Sequence, residues 1–175
     1  MPECVDRYLD ALHPVKLDSQ DAVTEKYNEL LNVIGRERDV VRKAINDLGQ
    51  EMSKIADYGG TYDHSVVNGM YRRSIFMKKG SLIASKIHTE HNFSFIMTGR
   101  ARVISEDGDI IMSAPAMFIT EPGTQRILAI EEDMIFVTMH PNPTNSTDFD
   151  ALEDRLSVLT YEELEQRIPY LEVKS

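Results

Sequence analysis

The fold is decided by the stretch GSLIASKIHTEHNFSFIMTGRARVISEDGD, residues 80–109. Short runs rich in apolar and β-branched residues alternate in it with glycine turn signals, a pattern typical of hairpins. The same rhythm continues in both directions, and the candidate strands are 73–78, 82–88, 93–98, 101–105, 109–113, 117–120, 126–130 and 135–140. Strands at intervals of roughly ten residues predict an antiparallel sandwich or barrel. No helical pattern separates them, which argues against a doubly wound parallel sheet.

Helical patterns flank this β region. Apolar residues recur at spacings of three, four or seven between about Ser19 and Ile55, and Gly35 with the charged run 36–39 interrupts them. Two interpretations stay open: a helix or helix pair packed on its own domain, or a self-associating coiled-coil arm. The predicted organisation is a helical N-terminal arm over 1–60, a β-barrel over 61–145 and a C-terminal helical extension over 146–175. In that extension Thr160 begins a capping box.

Composition limits the classes of function. The chain has 175 residues, a formal net charge of -10 and a single cysteine, Cys4. The acidic balance argues against nucleic-acid binding, which needs a cationic surface. No apolar run is long enough for a membrane helix, and the N-terminus lacks a signal-peptide pattern. One cysteine excludes an internal disulfide and a thiolate metal cage, so we expect a cytoplasmic protein without a membrane or nucleic-acid partner.

Two sets of residues resemble the motifs of the cupin superfamily. The first motif, G-x5-H-x-H-x3-E-x6-G, is matched in position by Gly80, Lys86, His88, Asn92 and Gly99. The second motif, G-x5-P-x-G-x2-H-x3-N, is matched in position by Pro115, Glu121, Gly123, Arg126 and Ile130. The resemblance implies a mainly β fold, a small double-sheet barrel or jelly roll, here with an N-terminal long helix or helix pair and short C-terminal helices.

Several short strings make the resemblance more specific. They are His88-Thr89-Glu90-His91, Ala114-Pro115, Glu121-Pro122-Gly123-Thr124 and Met139-His140-Pro141, and they are similar to small cupin-like proteins encoded by tailed phages and prophages. Metal-dependent cupins hold their ion with two histidines and a glutamate of the first motif and a histidine of the second. Here Lys86, Asn92 and Arg126 replace three of those ligands, and cations do not coordinate a divalent metal. The standard metal site is therefore predicted to be absent.

The first site hypothesis is a cationic pocket. Alternation along a strand places Lys86, His88 and Glu90 on one face, and in cupins that face points into the barrel. Arg126 would join them from a facing strand and could bind a small anion such as a phosphate or a carboxylate. Two other readings stay open: Glu90 neutralises Lys86 in a buried pair without a ligand, or the strand face points outward.

The second site hypothesis is a rebuilt metal centre with a divalent ion as possible cofactor. Its ligands would be His88, His91 and His140, brought together by a bulge at 89–90, with Glu90 as a fourth ligand or a hydrogen-bond partner. Alternatively, His91 and His140 are structural residues at the rim. The basic cluster 71–73 is predicted to be a solvated strand face.

Three functions follow, and whether the protein is an enzyme stays open. The first is a phage-type binding or assembly protein that forms a homo-oligomer. The second is a small-molecule binder that holds an anion with Lys86, His88 and Arg126. The third is a metal-dependent enzyme with an atypical histidine site.

Overall fold

A computed structural model of the chain describes residues 21–54 and 61–169. A helix pair begins this part of the chain, nine strands follow, and two short helices lie near its end. The helices are α1 (Asp21–Val33), α2 (Arg38–Ser53), α3 (Phe149–Leu156) and α4 (Tyr161–Arg167). The strands are β1 (Thr61–Val67), β2 (Met70–Met77), β3 (Leu82–Ala84), β4 (Ile87–His88), β5 (Asn92–Ser105), β6 (Gly108–Ser113), β7 (Ala116–Thr120), β8 (Ile127–Pro141) and β9 (Ser157–Val158).

Two long strands, β5 and β8, organise an antiparallel sheet of seven strands. Their register divides it into two halves. Sheet I runs β1–β2–β8–β5–β7 and uses residues 134–141 of β8 and 92–96 of β5. Sheet II runs β3–β8–β5–β6 and uses residues 127–129 of β8 and 100–105 of β5. The fold is therefore mainly β and antiparallel, as predicted.

The predicted breaks between strands 93–98 and 101–105 and between strands 126–130 and 135–140 are wrong, because both segments lie inside the long strands. The register between β5 and β8 shifts at Ile96, Thr98 and Arg100, which marks a bulge rather than a reversal. Gly99 takes a φ of +84° there, which glycine adopts at little cost. A bulge bends and twists a strand. It carries the chain from sheet I into sheet II without a loop.

The helix pair packs against sheet II. Val41, Ile45 and Leu48 of α2 share a buried cluster with Ile104 and Ile127 of the sheet. Gly35, at a φ of +82°, lies in the turn between the two helices. The structure thus favours the helix pair packed on its own domain over the coiled-coil arm, because the apolar seam is already buried within the chain. Residues 1–20 and 55–60 of the predicted arm lie outside the described residues.

The predicted C-terminal extension contains two short helices, and α4 begins at the predicted capping box. Asp148 accepts a hydrogen bond from the Ala151 amide at the start of α3, and Thr160 accepts one from the Glu163 amide at the start of α4. Leu152 and Leu156 of α3 pack on Tyr71 of β2. The short β4–β9 pair ties this extension back to the region around His88. None of the helices in the described ranges has the length and apolar character needed to span a bilayer.

Candidate functional site

A cavity of about 200 Å³ lies between sheet I and sheet II. Sheet I lines it with inward-facing side chains that include Ile75, Ile96 and Phe136, and sheet II contributes others that include Val103 and Leu128. The volume exceeds that of an apolar cavity of about 150 Å³ that is large enough to hold benzene. The space therefore suits a small molecule.

The lining of the cavity changes from polar to apolar along the strands of sheet I. Arg73 of β2 lies opposite Thr138 of β8, which in turn lies opposite Ser94 of β5. Two residues further along, the corresponding register row is Ile75, Phe136 and Ile96. Because side chains two apart on a strand share a face, both rows point the same way. The cavity thus has a polar end and an apolar end.

Two buried histidines mark the polar end: His88 lines the cavity, and His140 lies beside His88. The rings of His88 and His140 are 6.4 Å apart between centroids, and they are 8% and 2% exposed. Burial lowers the pKa of each to about 3, and the positive charge of Arg73 acts in the same direction. Both imidazoles are therefore neutral at pH 7. The Nδ1 atom of His140 is buried and has no hydrogen-bond partner among the described residues.

Arg126 brings a half-buried positive charge to the same end. Its Nη1 donates a hydrogen bond to Oγ1 of Thr120 at 3.1 Å, and its guanidinium carbon lies 5.3 Å from the ring centroid of Phe118. Within the described ranges no carboxylate lies within 4 Å of its side-chain nitrogens. Burial lowers the pKa of Arg126, but a guanidinium remains charged in proteins. This cation consequently has no ion-pair partner within 4 Å in the described part of the chain, and Asp107 acts on it only from a longer distance.

Glu153 of α3 is the carboxylate that lines the cavity. Its oxygens lie 2.8 Å from Nζ of Lys86 and 3.8 Å from Nη1 of Arg73. Burial alone would raise the pKa of Glu153, but the hydrogen bond from Lys86 and the nearby positive charges outweigh it, so the pKa is lowered. One negative charge therefore faces three lining cations, and a positive surplus remains.

A hydrogen-bonded chain of buried side chains joins Arg126 to His88. Oγ1 of Thr120 lies 2.9 Å from Oγ of Ser94, which donates at 2.9 Å to Oδ1 of Asn92. Nδ2 of Asn92 then donates at 3.3 Å to Nδ1 of His88. Ser94 has one hydroxyl proton and gives it to Asn92, so Thr120 must donate to Ser94, and each donor points from Arg126 toward His88. With Nδ1 accepting, neutral His88 carries its proton on Nε2.

Of the residues in the cationic-pocket hypothesis, the structure brings three together. Lys86, His88 and Arg126 line one cavity, whereas Glu90 accepts hydrogen bonds from Arg155 at 2.9 and 3.1 Å and does not line it. The expected placement of Glu90 was wrong because β4 ends at His88 and alternation stops there. The alternative pair between Lys86 and Glu90 is also wrong, since Lys86 pairs with Glu153.

The three histidines of the metal hypothesis are not gathered. His88 and His140 are neighbours, but His91 is exposed and does not line the cavity. Residues 21–54 and 61–169 contain no cluster of three or more His, Cys, Asp or Glu side chains placed to hold a metal. The ion that the cupin resemblance implies does not fit the donor set either. Lys86 and Arg126 are cations, and the amide nitrogen of Asn92 faces His88.

Sequence reasoning missed several residues of the site. Arg73 lies in the cluster predicted as a solvated face, yet it lines the cavity, because β2 begins at Met70 and turns its odd-numbered residues inward. That alternation was visible in the sequence. Thr138 was also missed; it lies opposite Arg73 in the strand register and lines the same cavity. Glu153 comes from a helix folded back over the sheet, and no local pattern could indicate its position.

Comparisons with known proteins concern the fold. No family model matches the chain, and no curated relative does. Among solved structures, the chain is similar to a cupin 2 domain-containing protein from Halorhodospira halophila, with 12% identity and a TM-score of 0.43. The likeness covers 48% of this chain and 65% of that protein, which is just under two thirds of its length. It is also similar to a conserved protein with a double-stranded β-helix domain from Klebsiella pneumoniae, with 16% identity, a TM-score of 0.43 and coverage of 56% and 90%.

A further likeness is to a putative ethanolamine utilization protein Q from Salmonella typhimurium, with 10% identity, a TM-score of 0.40, and coverage of 47% of this chain and 68% of that protein. We transfer no functional residue from these proteins. The narrower resemblance to proteins of tailed phages stays a prediction. The chain is thus a mainly antiparallel β protein with an N-terminal helix pair and short C-terminal helices.

Proposed function

We propose that the protein binds a small anionic molecule in the cavity between sheet I and sheet II. The observation that supports this most directly is Arg126, a cation in the cavity wall with no carboxylate within 4 Å among the described residues. A charge removed from water is costly unless it is paired. An anion in the cavity would supply the missing partner.

The electrostatics around Arg126 favour the same conclusion. Glu153 offsets part of the charge of Lys86 and Arg73, and neutral His88 adds none. The whole chain carries a formal net charge of -10, so a positive cavity is a local arrangement rather than a property of the composition. A guanidinium is also well shaped to bind two oxygens of a carboxylate or a phosphate. The metal-dependent enzyme is less favoured, because His91 lies away from His88 and His140.

Ligand-induced thermal stabilisation tests the proposal. The unaltered protein would be screened with benzoate, hexanoate, succinate and inorganic phosphate, and positive results would be measured by calorimetry. We expect at least one anion to raise the melting temperature and Arg126→Gln to weaken it at least tenfold. Arg100→Gln is the matched control, since exposed Arg100 pairs with Glu131 outside the cavity. Equal binding to both variants, or no response to any anion, contradicts the proposal.

A homo-oligomer is the second proposal, and a different observation supports it. The outer face of sheet II is covered by the helix pair, whereas that of sheet I presents exposed apolar side chains. Phe93 and Ile119 lie opposite each other in the register and are 49% and 59% exposed, and Met117 beside them is 68% exposed. A second copy could cover this patch with its own, in the self-complementary manner of a two-fold dimer.

A further inference from the structure

We infer that the ligand is a monocarboxylate with an apolar body, held with its carboxylate at the Arg126–His88 end of the cavity and its body against Ile75, Ile96 and Phe136. The inference rests on the proposed anion-binding function and specifies the ligand class. It is carried by the graded lining of the cavity, the convergence of two donors and the volume available.

The two donors converge because their anchors are neighbours. Asn92 of β5 and Thr120 of β7 lie directly opposite each other in the register. Asn92 holds the His88 ring, and Thr120 holds the Arg126 guanidinium. His88 and Arg126 are thereby attached to one buried polar row and line the same cavity. The acid group of a ligand would meet both there.

The free ring nitrogen of His88, Nε2, is a hydrogen-bond donor rather than an acceptor. Its Nδ1 atom is occupied by the amide of Asn92, which leaves the proton on Nε2. No hydrogen-bond partner of Nε2 is found among the described residues. A carboxylate oxygen is a strong acceptor and matches a guanidinium and an N–H donor together. A metal ion or an ammonium group would face only donors at this position.

The other end of the cavity selects against a second charge. The register row of Ile75, Phe136 and Ile96 offers no polar group, and Val103 with Leu128 covers the opposite side. A dicarboxylate of matching length would leave its second carboxylate desolvated and unpaired, at a high cost in free energy. An alkyl chain or one aromatic ring would instead bury apolar surface on both sides, and each buried methylene strengthens binding by up to about fourfold.

The size of the cavity restricts the apolar body. A volume of about 200 Å³ suits a single ring or a short chain rather than a long acyl chain. Hexanoate and benzoate are therefore suitable probes. Adipate has the same number of carbons as hexanoate and differs in its second carboxylate, while hexanamide keeps the chain and removes the charge.

Calorimetry on the unaltered full chain with hexanoate, benzoate, acetate, adipate, hexanamide and inorganic phosphate tests the inference. We expect hexanoate or benzoate to bind at least tenfold more tightly than acetate, adipate, hexanamide and phosphate. Tightest binding of phosphate or adipate overturns the monocarboxylate inference but leaves anion binding intact. Equal affinity for acetate and hexanoate also overturns it. Binding of hexanamide equal to that of hexanoate, or no binding of any probe, overturns both proposals.

One variant locates the apolar body. Ile75→Thr places a hydroxyl in the apolar row and shortens the side chain by one heavy atom. We expect it to weaken hexanoate binding at least fivefold while changing acetate binding less than twofold. Because the ligand comparison uses the unaltered chain, it decides the inference even if this variant does not fold. An equal effect on both ligands contradicts the proposed orientation.

Discussion

Nδ2 of Asn92 donates a hydrogen bond to Nδ1 of His88 at 3.3 Å, and this contact fixes which nitrogen of the imidazole carries the proton. The asparagine is itself oriented by Ser94, whose hydroxyl donates to its Oδ1 atom at 2.9 Å. Both residues are buried, with Asn92 4% and Ser94 1% exposed, so water does not compete for these bonds. The arrangement makes the tautomer of His88 a measurable property of the fold.

The first prediction concerns that tautomer. In ¹⁵N-detected spectra at pH 7, His88 should show the neutral Nε2–H form. Asn92→Asp replaces the amide donor with a carboxylate, which favours a proton on Nδ1 and raises the pKa of His88 above its present value of about 3. The spectra of Asn92→Asp should therefore show the Nδ1–H form or an imidazolium. An Nδ1–H signal for His88 in the unaltered protein would contradict the assigned hydrogen-bond chain.

The second prediction is a loss of stability in mild acid. The pKa of His88 and of His140 is about 3 in the folded protein, below the ordinary histidine value of about 6.5 in the unfolded chain. The unfolded state binds more protons below about pH 6.5, so stability falls as pH decreases from there through about 3. Each histidine changes the free energy of unfolding by up to about 1.4 kcal/mol per pH unit. Urea unfolding at pH 7.5, 6 and 5 measures it.

Two variants separate the contributions to this pH dependence. His140→Asn should remove one of the two slopes, because it leaves a single buried imidazole of this pair. His88→Asn should remove the other slope, because burial lowers the pKa of His88 in the same way. A pH-independent free energy of unfolding between 5 and 7.5 would show that the two rings titrate normally in the folded state.

The fold was more predictable from the sequence than the site. Alternation and turn signals located β2, β6 and β7, and the capping box at Thr160 located α4, because these signals are local. The junction between sheets I and II was missed, since a Thr98-Gly99 pair reads as a hairpin turn when it is in fact a bulge in β5. A turn and a bulge use the same glycine conformation, and only the partner strand distinguishes them.

The site depends on contacts that join distant parts of the chain. Lys86 was expected in the cavity wall, but its partner Glu153 lies 67 residues further along, on a helix that folds back over the sheet. Glu90 was expected beside it and instead pairs with Arg155, because the strand ends two residues earlier. Alternation is a reliable guide only as long as a strand continues. Pairings set by the docking of a helix leave no local pattern.

The third prediction tests the bulge with two glycines of similar conformation. A Cβ atom at Gly99 would lie 2.3 Å from the backbone oxygen of Asp133, whereas one at Gly80 would meet nothing within 4 Å. Both have a φ above +80°, so Gly80→Ala should cost about 1 kcal/mol from backbone strain alone. Gly99→Ala should lower the free energy of unfolding by about 3 kcal/mol or more, because β5 must also move away from β8 to make room for the methyl group. Equal losses in urea unfolding would contradict the close approach at Gly99.

The fourth prediction separates function from stability at Arg126. Arg126→Met keeps a long side chain that can pack on Phe118 but removes the half-buried charge. We expect the ligand-free variant to be as stable as the unaltered protein or about 1 kcal/mol more stable, because a desolvated unpaired cation disfavours folding. Anion binding should be lost in the same variant. A destabilisation of 2 kcal/mol or more would indicate that Arg126 is paired within the chain and would argue against a vacant anion site.

The fifth prediction concerns the exposed apolar face of sheet I. Ile119→Lys and Met117→Lys each place a charge in the middle of the patch that contains Phe93, and in a two-fold dimer each substitution would occur on both sides of the interface. Light scattering should show a homo-oligomer for the unaltered chain and a smaller subunit number for both variants. Ile110→Lys on β6 is the matched control, because Ile110 is 58% exposed but belongs to sheet II. Removal of residues 1–20 should leave the subunit number unchanged if the sheet face associates. A monomer at all concentrations, or a control variant that dissociates equally, contradicts association through this face.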